Sequence, residues 1–540
     1  MKGFRQVETP REQMILWSHS LEDAVAPDHP VRLFDQILKS EAFAEVFKEW
    51  RQEYDLTTGR PPFSPQDLSG LYLYGMINRL RSSRQLEAAC YNRLDVIWLM
   101  QGQTPDHSTI AAFVAKHEKH LKKLFRQSIH LSMSAGLVTL AHVSVDGTKL
   151  EADAGRNSVR TQAWMEAESA RLELAAAELE KEWAANEERE KVLWSEQSPQ
   201  SGPQNSERRA AFEKKQAKLK AALAAIKQRA ATAEAEGGEP PKPIASLNDP
   251  EARVMPDKQG KSKPGYNAQI AVDSEAGIIV AQDLNDRPED VGQLTPMLEE
   301  VKEQTGRLPD EASADSGYNS GGELAQLETM GVTSYLPDAG KNSGAVGNHR
   351  EPTEAEVARA DALAAAHAGA TLSEEQWKAL PRTQKKIDKC AFTYQTESDT
   401  YRCPAGISLP VLRHSSDQKS WGTAHRYQYG GSPACATCAH AADCCTNPAK
   451  GRTVNRDQFE PQRQRMRDRM ATPEGQARYR LRAQTVEPRF GVIKGALGIR
   501  RLMRRGLAKA ATEFALICTA LNFQVMFGHW SKVAPVLNLA

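Results

Sequence analysis

The chain has 540 residues, enough for three or four domains, and 26% of them are charged although the formal net charge is only +1. That balance neither supports nor excludes nucleic acid, because the placement of charge decides. No run of about 18 uncharged apolar residues offers a membrane span, and eight cysteines are too few for a disulfide scaffold. The first residues hold no apolar run suited to a signal peptide, so the expected location is cytoplasmic.

Residues 1–135 read as a helical N-terminal domain. Ser64 is placed to cap a helix, with Pro65 at its first position and Asp67 in its first turn. Leu68, Leu71, Tyr72, Met76 and Leu80 then recur at helical spacing. Further helices are expected over 85–91 and from about Ser108. Basic turns at Arg79, Arg81 and Arg84 allow a helix-turn-helix reader of DNA, although pattern alone favours a plain helical packing domain.

Alternating apolar and polar residues over 142–147 predict a strand that ends at Asp146 and meets Gly147. Strands at 266–273 and 277–282 are joined by a hairpin turn, and a helix is expected over 290–305. A short strand at 311–314 leads into Asp315. Ser320 and Glu323 resemble a capping box, and the next strand falls at 331–336. Antiparallel-compatible strands followed by helix–strand alternation predict an α+β fold, a mixed sheet covered by helices. Its first parts are placed at 136–161 and 244–340.

Two insertions interrupt this core. Residues 162–243 read as a helical hairpin with an apolar stripe at Leu219, Leu223 and Ile226, followed by a linker. Residues 341–450 hold an Ala-rich helical piece and then six of the eight cysteines. Cys435 and Cys438 have the two-residue spacing of a tetrahedral metal site, which Cys403 and Cys444 would complete with Cys445 to spare. Structural zinc there would staple an insertion with little apolar core. Reduced cysteines without metal are the alternative, and His425 or His440 could compete as ligands.

The last part, 451–540, is basic and helical. Residues 451–510 carry 16 Lys/Arg against 5 Asp/Glu, an excess of +11. Arg463, Arg465, Arg467 and Arg469, then Arg500, Arg501, Arg504 and Arg505, flank Glu487 and are candidates to seat DNA phosphates. Such runs are otherwise ordinary solvated surface. Phe514, Ile517, Cys518, Leu521 and Val525 mark a buried helix face, with Cys518 as a small core residue.

Asp146 and Asp315 each close a predicted strand with a glycine within two positions, which leaves room for an ion or phosphate. Nothing in the pattern itself selects these acids and Glu487 from 69 Asp and Glu. The motifs around them do so in order: Val145-Asp146-Gly147-Thr148-Lys149, Pro264-Gly265-Tyr266-Asn267-Ala268-Gln269, Ala314-Asp315-Ser316-Gly317-Tyr318, and Thr485-Val486-Glu487 followed by Phe490-Gly491-Val492-Ile493-Lys494. Upstream stand Val7-Glu8-Thr9-Pro10, Pro61-Pro62-Phe63, Leu73-Tyr74-Gly75, Arg81-Ser82-Ser83-Arg84 and Thr104-Pro105-Asp106-His107. Over nearly its whole length the chain resembles the DDE transposases of bacterial insertion sequences, in the branch with a cysteine-containing insertion.

The resemblance implies an RNase H-like catalytic core whose Asp146, Asp315 and Glu487 bind magnesium, with manganese as a chemical substitute. It implies cleavage of DNA at insertion-sequence ends and transfer of the freed 3′-hydroxyl to target DNA. Lys494 would contact phosphate, and the N-terminal domain would bind the terminal repeats. A homodimer or larger assembly on double-stranded DNA, associated with the nucleoid, follows from family behaviour. Tyr479 and Arg480 resemble the tyrosine and arginine of a tyrosine–arginine–glutamate–lysine signature, but Ala483 stands where its arginine would fall. Arg482 is the nearest substitute, and these residues join Arg84 as DNA-contact candidates. Pro488-Arg489 departs from the His-Pro often found in relatives. A catalytically inactive DNA-binding descendant, or a same-fold nuclease that cuts without joining, are the alternatives.

Overall fold

The computed structural model describes residues 20–54, 61–193, 203–235, 237–256, 260, 262–338, 353–419, 422–430 and 433–537. The motif at 7–10 lies outside them. Seven helices precede the sheet among the described residues: α1 (Pro30–Lys39), α2 (Glu41–Gln52), α3 (Pro65–Ile77), α4 (Ser83–Asn92), α5 (Leu94–Leu99), α6 (His107–Lys116) and α7 (Glu118–Ser134). Ser64 accepts the Gln66 amide and Pro65 opens α3, as the sequence predicts. α3 is buried on nearly every side, so it is the centre of this helical layer rather than a surface helix. Ser82 and Gln85 close a capping box on α4, and Asp106 caps α6. α5 is too short to show a period in the sequence.

The central sheet follows in chain order: β1 (His142–Glu151), β2 (Val159–Thr161), α8 (Gln162–Leu193), α9 (Pro203–Ala235), β3 (Ile244–Ser246), β4 (Arg253–Pro256), β5 (Ser262–Asp273), β6 (Ile279–Asn285), α10 (Leu294–Thr305), β7 (Glu311–Ser313), α11 (Gly321–Met330) and β8 (Thr333–Tyr335). Six of these strands form one sheet in the order β4-β5-β1-β7-β8, with β6 also paired to β5. β1, β4 and β6 are antiparallel to β5, whereas β7 runs parallel to β1 and β8 parallel to β7. The result is the expected mixed sheet flanked by helices.

Two local expectations change. β1 does not end at Asp146 but runs on to Glu151, because β5 pairs with it rung by rung from Val143↔Asp273 to Glu151↔Gly265. Gly265 permits that approach, since a Cβ there would stand 2.6 Å from the Leu150 carbonyl oxygen. Ser320 accepts the Glu323 amide at 3.3 Å, but the Glu323 carboxylate accepts the Thr295 amide instead of turning back to its own helix start. Half of the capping box therefore forms, and the other half ties α11 to α10.

β2 and β3 pair at the base of the first insertion. α8 and α9 pack together there through Met165, Leu172, Leu219, Ala222 and Ile226, which includes the predicted stripe. The second insertion contains α12 (Glu354–Ala368), α13 (Glu374–Ala379), β9 (Arg382–Thr383), β10 (Lys386–Ile387), β11 (Thr393–Gln395), β12 (Thr400–Arg402), β13 (Ser408–Leu409), β14 (Val411–Lys419), β15 (Gly422–Gly430) and α14 (Ala441–Cys444). β16 (Thr453–Asp457) pairs with β15, so the sheet of this insertion continues past residue 450. It is also better filled than expected: Trp377, Leu380, Phe392, Tyr401, Tyr429 and Val454 give it an apolar core of its own.

α15 (Glu460–Ala471), α16 (Pro473–Gly491) and α17 (Leu507–Gly528) return to the central sheet. α17 packs on α7, α3 and β6. The Asn522 amide bonds both the N–H and the C=O of Ile279 at 2.9 Å and reaches Ser128 Oγ at 3.1 Å. α17 is long and apolar enough to cross a membrane, yet 83% of its most apolar stretch is buried inside the protein. It is the core helix joining the N-terminal helices to the sheet.

Candidate active site

The parallel pairing of β1 and β7 ends at Ser144↔Ser313, whose hydroxyls stand 3.0 Å apart. Asp146 and Asp315 lie two residues beyond each serine, on the same face by the strand's period of two. One short register thus makes neighbours of acids 169 positions apart. Asp146 Oδ1 accepts the Gly147 amide at 2.9 Å, and Asp315 Oδ1 accepts the Gly317 amide at 2.8 Å. A Cβ on Gly147 would overlap the Gln269 amide, and one on Gly317 would come within 2.9 Å of Asp315 Oδ1.

α16 packs over β1 and brings the third acid, Glu487, whose side chain is 53% exposed. Arg482 lies on the same helix with a side chain only 10% exposed. Its Nη2 is 3.0 Å from Asp146 Oδ1 and its Nη1 3.7 Å from Glu487 Oε1. Tyr479, also buried, hydrogen-bonds Arg482. Tyr479 and Arg482, three residues apart, are neighbours on the buried side of the helix, whereas Ala483 and Glu487 are exposed. Tyr479 and Arg482 are therefore buried members of the acid pocket.

Burial pushes the Asp146 carboxyl up to about 6, against the opposing pull of Arg482 and the Gly147 amide, while Asp315 and Glu487 push it the same way as burial. Arg482 moves up as well: burial lowers it, but Asp146, Tyr479 and Asp315 outweigh that. The causes differ: Asp146 is raised chiefly by its own burial, whereas Arg482 is held charged by the acidic groups around it.

A fourth carboxylate completes the surroundings. Asp290 Oδ1 accepts from Asn267 and Gln269 side chains at 2.8 Å and from Lys149 Nζ at 3.4 Å. Gln269 in turn accepts the Tyr318 hydroxyl. Asp290 thereby links the strand carrying Asp146 to the turn that follows Asp315. Sequence reasoning placed Asp290 at the start of a helix that begins instead at Leu294, and no periodic signal marks it. Lys494 arrives on a π-helical turn, Val492–Ala496, and its ammonium donates to Thr148 Oγ1 and, at 3.1 Å, to the Lys149 carbonyl.

Most arginines of the basic tract make polar contacts within the protein. Arg463 pairs with Asp457 at 2.6 Å, Arg465 with Glu328 at 2.7 Å and Arg467 with Glu460 at 2.8 Å, while Arg469 donates to the Ser334 carbonyl at 2.8 Å. Arg501 and Arg505 both pair with Asp153, and Arg504 donates to the Ala111 carbonyl at 3.4 Å. Arg81 pairs with Glu513 at 2.8 Å and fastens the N-terminal helices to α17. Arg84 and Arg500 are exposed, and Arg480 is half-buried.

Among the described residues no three His, Cys, Asp or Glu side chains form a ready-made cage for an ion. In the acid pocket the Arg482 guanidinium stands between Asp146 and Glu487. The donor set nevertheless fits a hard divalent cation: all its ligands are carboxylate oxygens, and a cationic group already stands among them. The predicted thiols Cys403, Cys435, Cys438 and Cys444 surround a separate cavity of about 20 Å³ with Cys445 and His440. His425 lines a different cavity, of about 860 Å³, beside α10 and α11, which none of the three acids lines.

Two family models match the chain: a Transposase domain (DUF772) over residues 19–116 and a Transposase DDE domain over residues 402–527. The second includes Glu487 and Lys494, while Asp146 and Asp315 fall between the two. No curated protein and no solved structure matches the chain. Two transposase domains are thus matched in order, one over the N-terminal helices and one over the segment bearing Glu487, and over those segments the resemblance to the DDE transposases of bacterial insertion sequences is borne out.

Proposed function

We propose that this transposase cuts DNA at the ends of an insertion sequence and joins the freed 3′ ends to target DNA, using Asp146, Asp315 and Glu487 as ligands for magnesium, or for manganese in its place. The observation that carries this reading is the placement of Asp146 and Asp315 two residues past the Ser144–Ser313 rung, with Glu487 across the Arg482 guanidinium. The strand order supports an RNase H-like core, with antiparallel β6, β5 and β1 followed by parallel β7 and β8.

In the first step water attacks a phosphodiester phosphorus and the bond to the 3′ oxygen breaks, leaving a 3′-hydroxyl on the element and a 5′-phosphate on the flank. In the second, that hydroxyl attacks a target phosphorus and displaces the target's own 3′ oxygen. Magnesium, when bound, supplies charge that activates the attacking oxygen and stabilises the leaving one. Lys494, anchored on β1 beside Asp146, offers an ammonium to phosphate oxygens. Arg482 holds the acids together before loading, and Asp146 is released to act as a ligand when that ion pair loosens. Arg84 and Arg500 position the DNA backbone, the N-terminal helices read the terminal repeats, and the protein acts as a dimer or larger assembly on the nucleoid.

DNA carrying the element's own ends, incubated with magnesium and either wild type or Asp315→Asn, tests this. Joined products that vanish in a variant still able to bind DNA support the reading. Cutting without joining by the wild type would point to a nuclease of the same fold. Binding without either reaction, in magnesium and in manganese, would point to a non-catalytic DNA-binding descendant.

A further inference from the structure

The second insertion holds a cluster of soft ligands independent of the acid pocket. Cys403, the Cys435/Cys438 pair and the adjacent Cys444 and Cys445 come from three separate stretches of chain, yet all five wall one cavity of about 20 Å³. That volume admits about one small particle. Trp377, Pro404, Ala441 and Arg452 help to close it, and no carboxylate lines it.

The loop around the cavity is tied down by a few polar and ring contacts, Asp443 to Arg382 at 3.0 Å and His440 stacked on Trp377, but buries little apolar surface of its own. Between Pro433 and Gly451 the only buried side chains are Cys435, Ala441 and Cys445, and the chain there forms only short helical turns. The apolar core of the insertion is supplied by other segments. A loop of this length with two buried thiols and one alanine buries too little apolar surface to offset the entropy of ordering it.

Opposite this loop, Cys403 sits in a tight turn that aims a backbone amide at its sulfur, although burial still pushes its thiol up. The Cys403 amide donates to the Ile407 carbonyl and the Gly406 amide to the Cys403 carbonyl, both at 2.9 Å. Gly406 takes a φ of 81°, which glycine adopts without strain. The Ile407 amide then donates to Cys403 Sγ at 3.3 Å. Cys445 is 2% exposed and its thiol hydrogen-bonds those of both Cys435 and Cys444, whereas Cys444 itself is half-buried.

We propose that Cys403, Cys435, Cys438 and Cys445 bind one zinc ion that staples this loop to the insertion, with Cys444 as the spare thiol. The choice of Cys445 departs from the spacing, which suits Cys444 equally well. Four thiols lose four protons as one Zn²⁺ enters, leaving a tetrathiolate site of net charge −2 beside the Arg452 guanidinium. That guanidinium is fixed by the Cys444 carbonyl at 3.0 Å and the Ile387 carbonyl at 2.9 Å. All-sulfur tetrahedral ligation selects zinc over the hard cation of the acid pocket. Since the thiols are not a finished cage as they stand, loading turns the sulfurs inward and tightens the loop.

The test uses the full chain, purified with reductant and dialysed exhaustively. The expected result is one zinc per chain, and replacement by cobalt should give thiolate-to-cobalt absorption with the visible bands of a tetrahedral ion. Cys435→Ser and Cys445→Ser should each lose the ion, while Cys444→Ser and Cys390→Ser keep it. In the wild type, chelation should open residues 433–451 to protease and added zinc should close them again, which separates loss of the ion from misfolding of a variant. No retained zinc and no thiolate–cobalt absorption in protein with reduced thiols would overturn the site. Zinc unchanged in Cys435→Ser would do the same. Loss in Cys444→Ser with retention in Cys445→Ser would overturn the ligand set.

Discussion

The Arg482 guanidinium lies 3.0 Å from Asp146 while its other terminal nitrogen reaches toward Glu487 at 3.7 Å. A side chain thus supplies, inside the protein, a positive charge among these acids. Removing one partner of a buried pair costs more than the pair contributes, because the other charge is left uncompensated. Arg482→Gln should therefore lower stability by about 3 kcal/mol at neutral pH without divalent cations. Magnesium should restore part of the loss, and so should acidification to about pH 5, where Asp146 is protonated. Urea unfolding with and without magnesium at both pH values measures this; equal losses under all conditions would show that Arg482 does not balance these acids.

Asp146 titrates near 6 in the folded protein against an ordinary value of 3.8. Between those values the folded state holds a proton that the unfolded state has released. Its contribution to stability is therefore present at low pH, falls as pH rises from about 4 to about 6, and is level above that. Other buried acids shift in the same direction, so the measured quantity is the difference between wild type and Asp146→Asn, in which part of the slope should disappear. If magnesium binds here, its entry near pH 6 should release a proton in the wild type and none in the variant. Calorimetry in buffers of different ionisation enthalpy would show it.

Asp290 gathers three donors on one oxygen, so its two simplest replacements should differ. Asp290→Asn keeps an acceptor for Asn267 and Gln269 and loses only the charge facing Lys149. Asp290→Ala leaves all three donors short of a partner, at a cost of about 1–3 kcal/mol. DNA joining should fall modestly in the first and severely in the second, with thermal stability following the same order. Equal behaviour would mean that charge alone matters at this position.

The arginines divide into two groups by what they touch. Arg500 is exposed, whereas Arg465 is committed to Glu328 at 2.7 Å. For every DNA phosphate that a variant no longer neutralises, the slope of log affinity against log salt should become shallower by about 0.9. Arg500→Ala should show that change in a DNA-binding titration, and Arg465→Ala should leave the slope unchanged while loosening α15. A changed slope in the second variant alone would reverse the assignment.

Much of the central sheet was legible in the sequence because its strands alternate or run apolar between clear turn signals. The turn between β5 and β6 and the cap at Ser64 were read from single residues whose chemistry acts locally. The end of β1 was misjudged because Gly147 looks like a stop, and only the facing strand β5 shows that pairing continues past it. The alternating arginines of α15 looked like one basic surface, but residues two apart diverge around a helix, and the acids that neutralise them come from other segments. Arg482 was marked only as a substitute for a signature arginine and Asp290 carried no local signal, since the partners that bury them lie on other elements.

By itself the sequence determined most of the central strands and several helix caps, the motifs of the three acids and the cysteine spacing, because caps, turns and periodicity act over a few residues. The tertiary structure decided which groups face one another: the Ser144–Ser313 register sets Asp146 beside Asp315, α16 turns Arg482 inward, and Cys403 joins the four downstream thiols around one cavity. Pairing across a sheet and burial of charge depend on partners hundreds of positions away, and no local pattern encodes them.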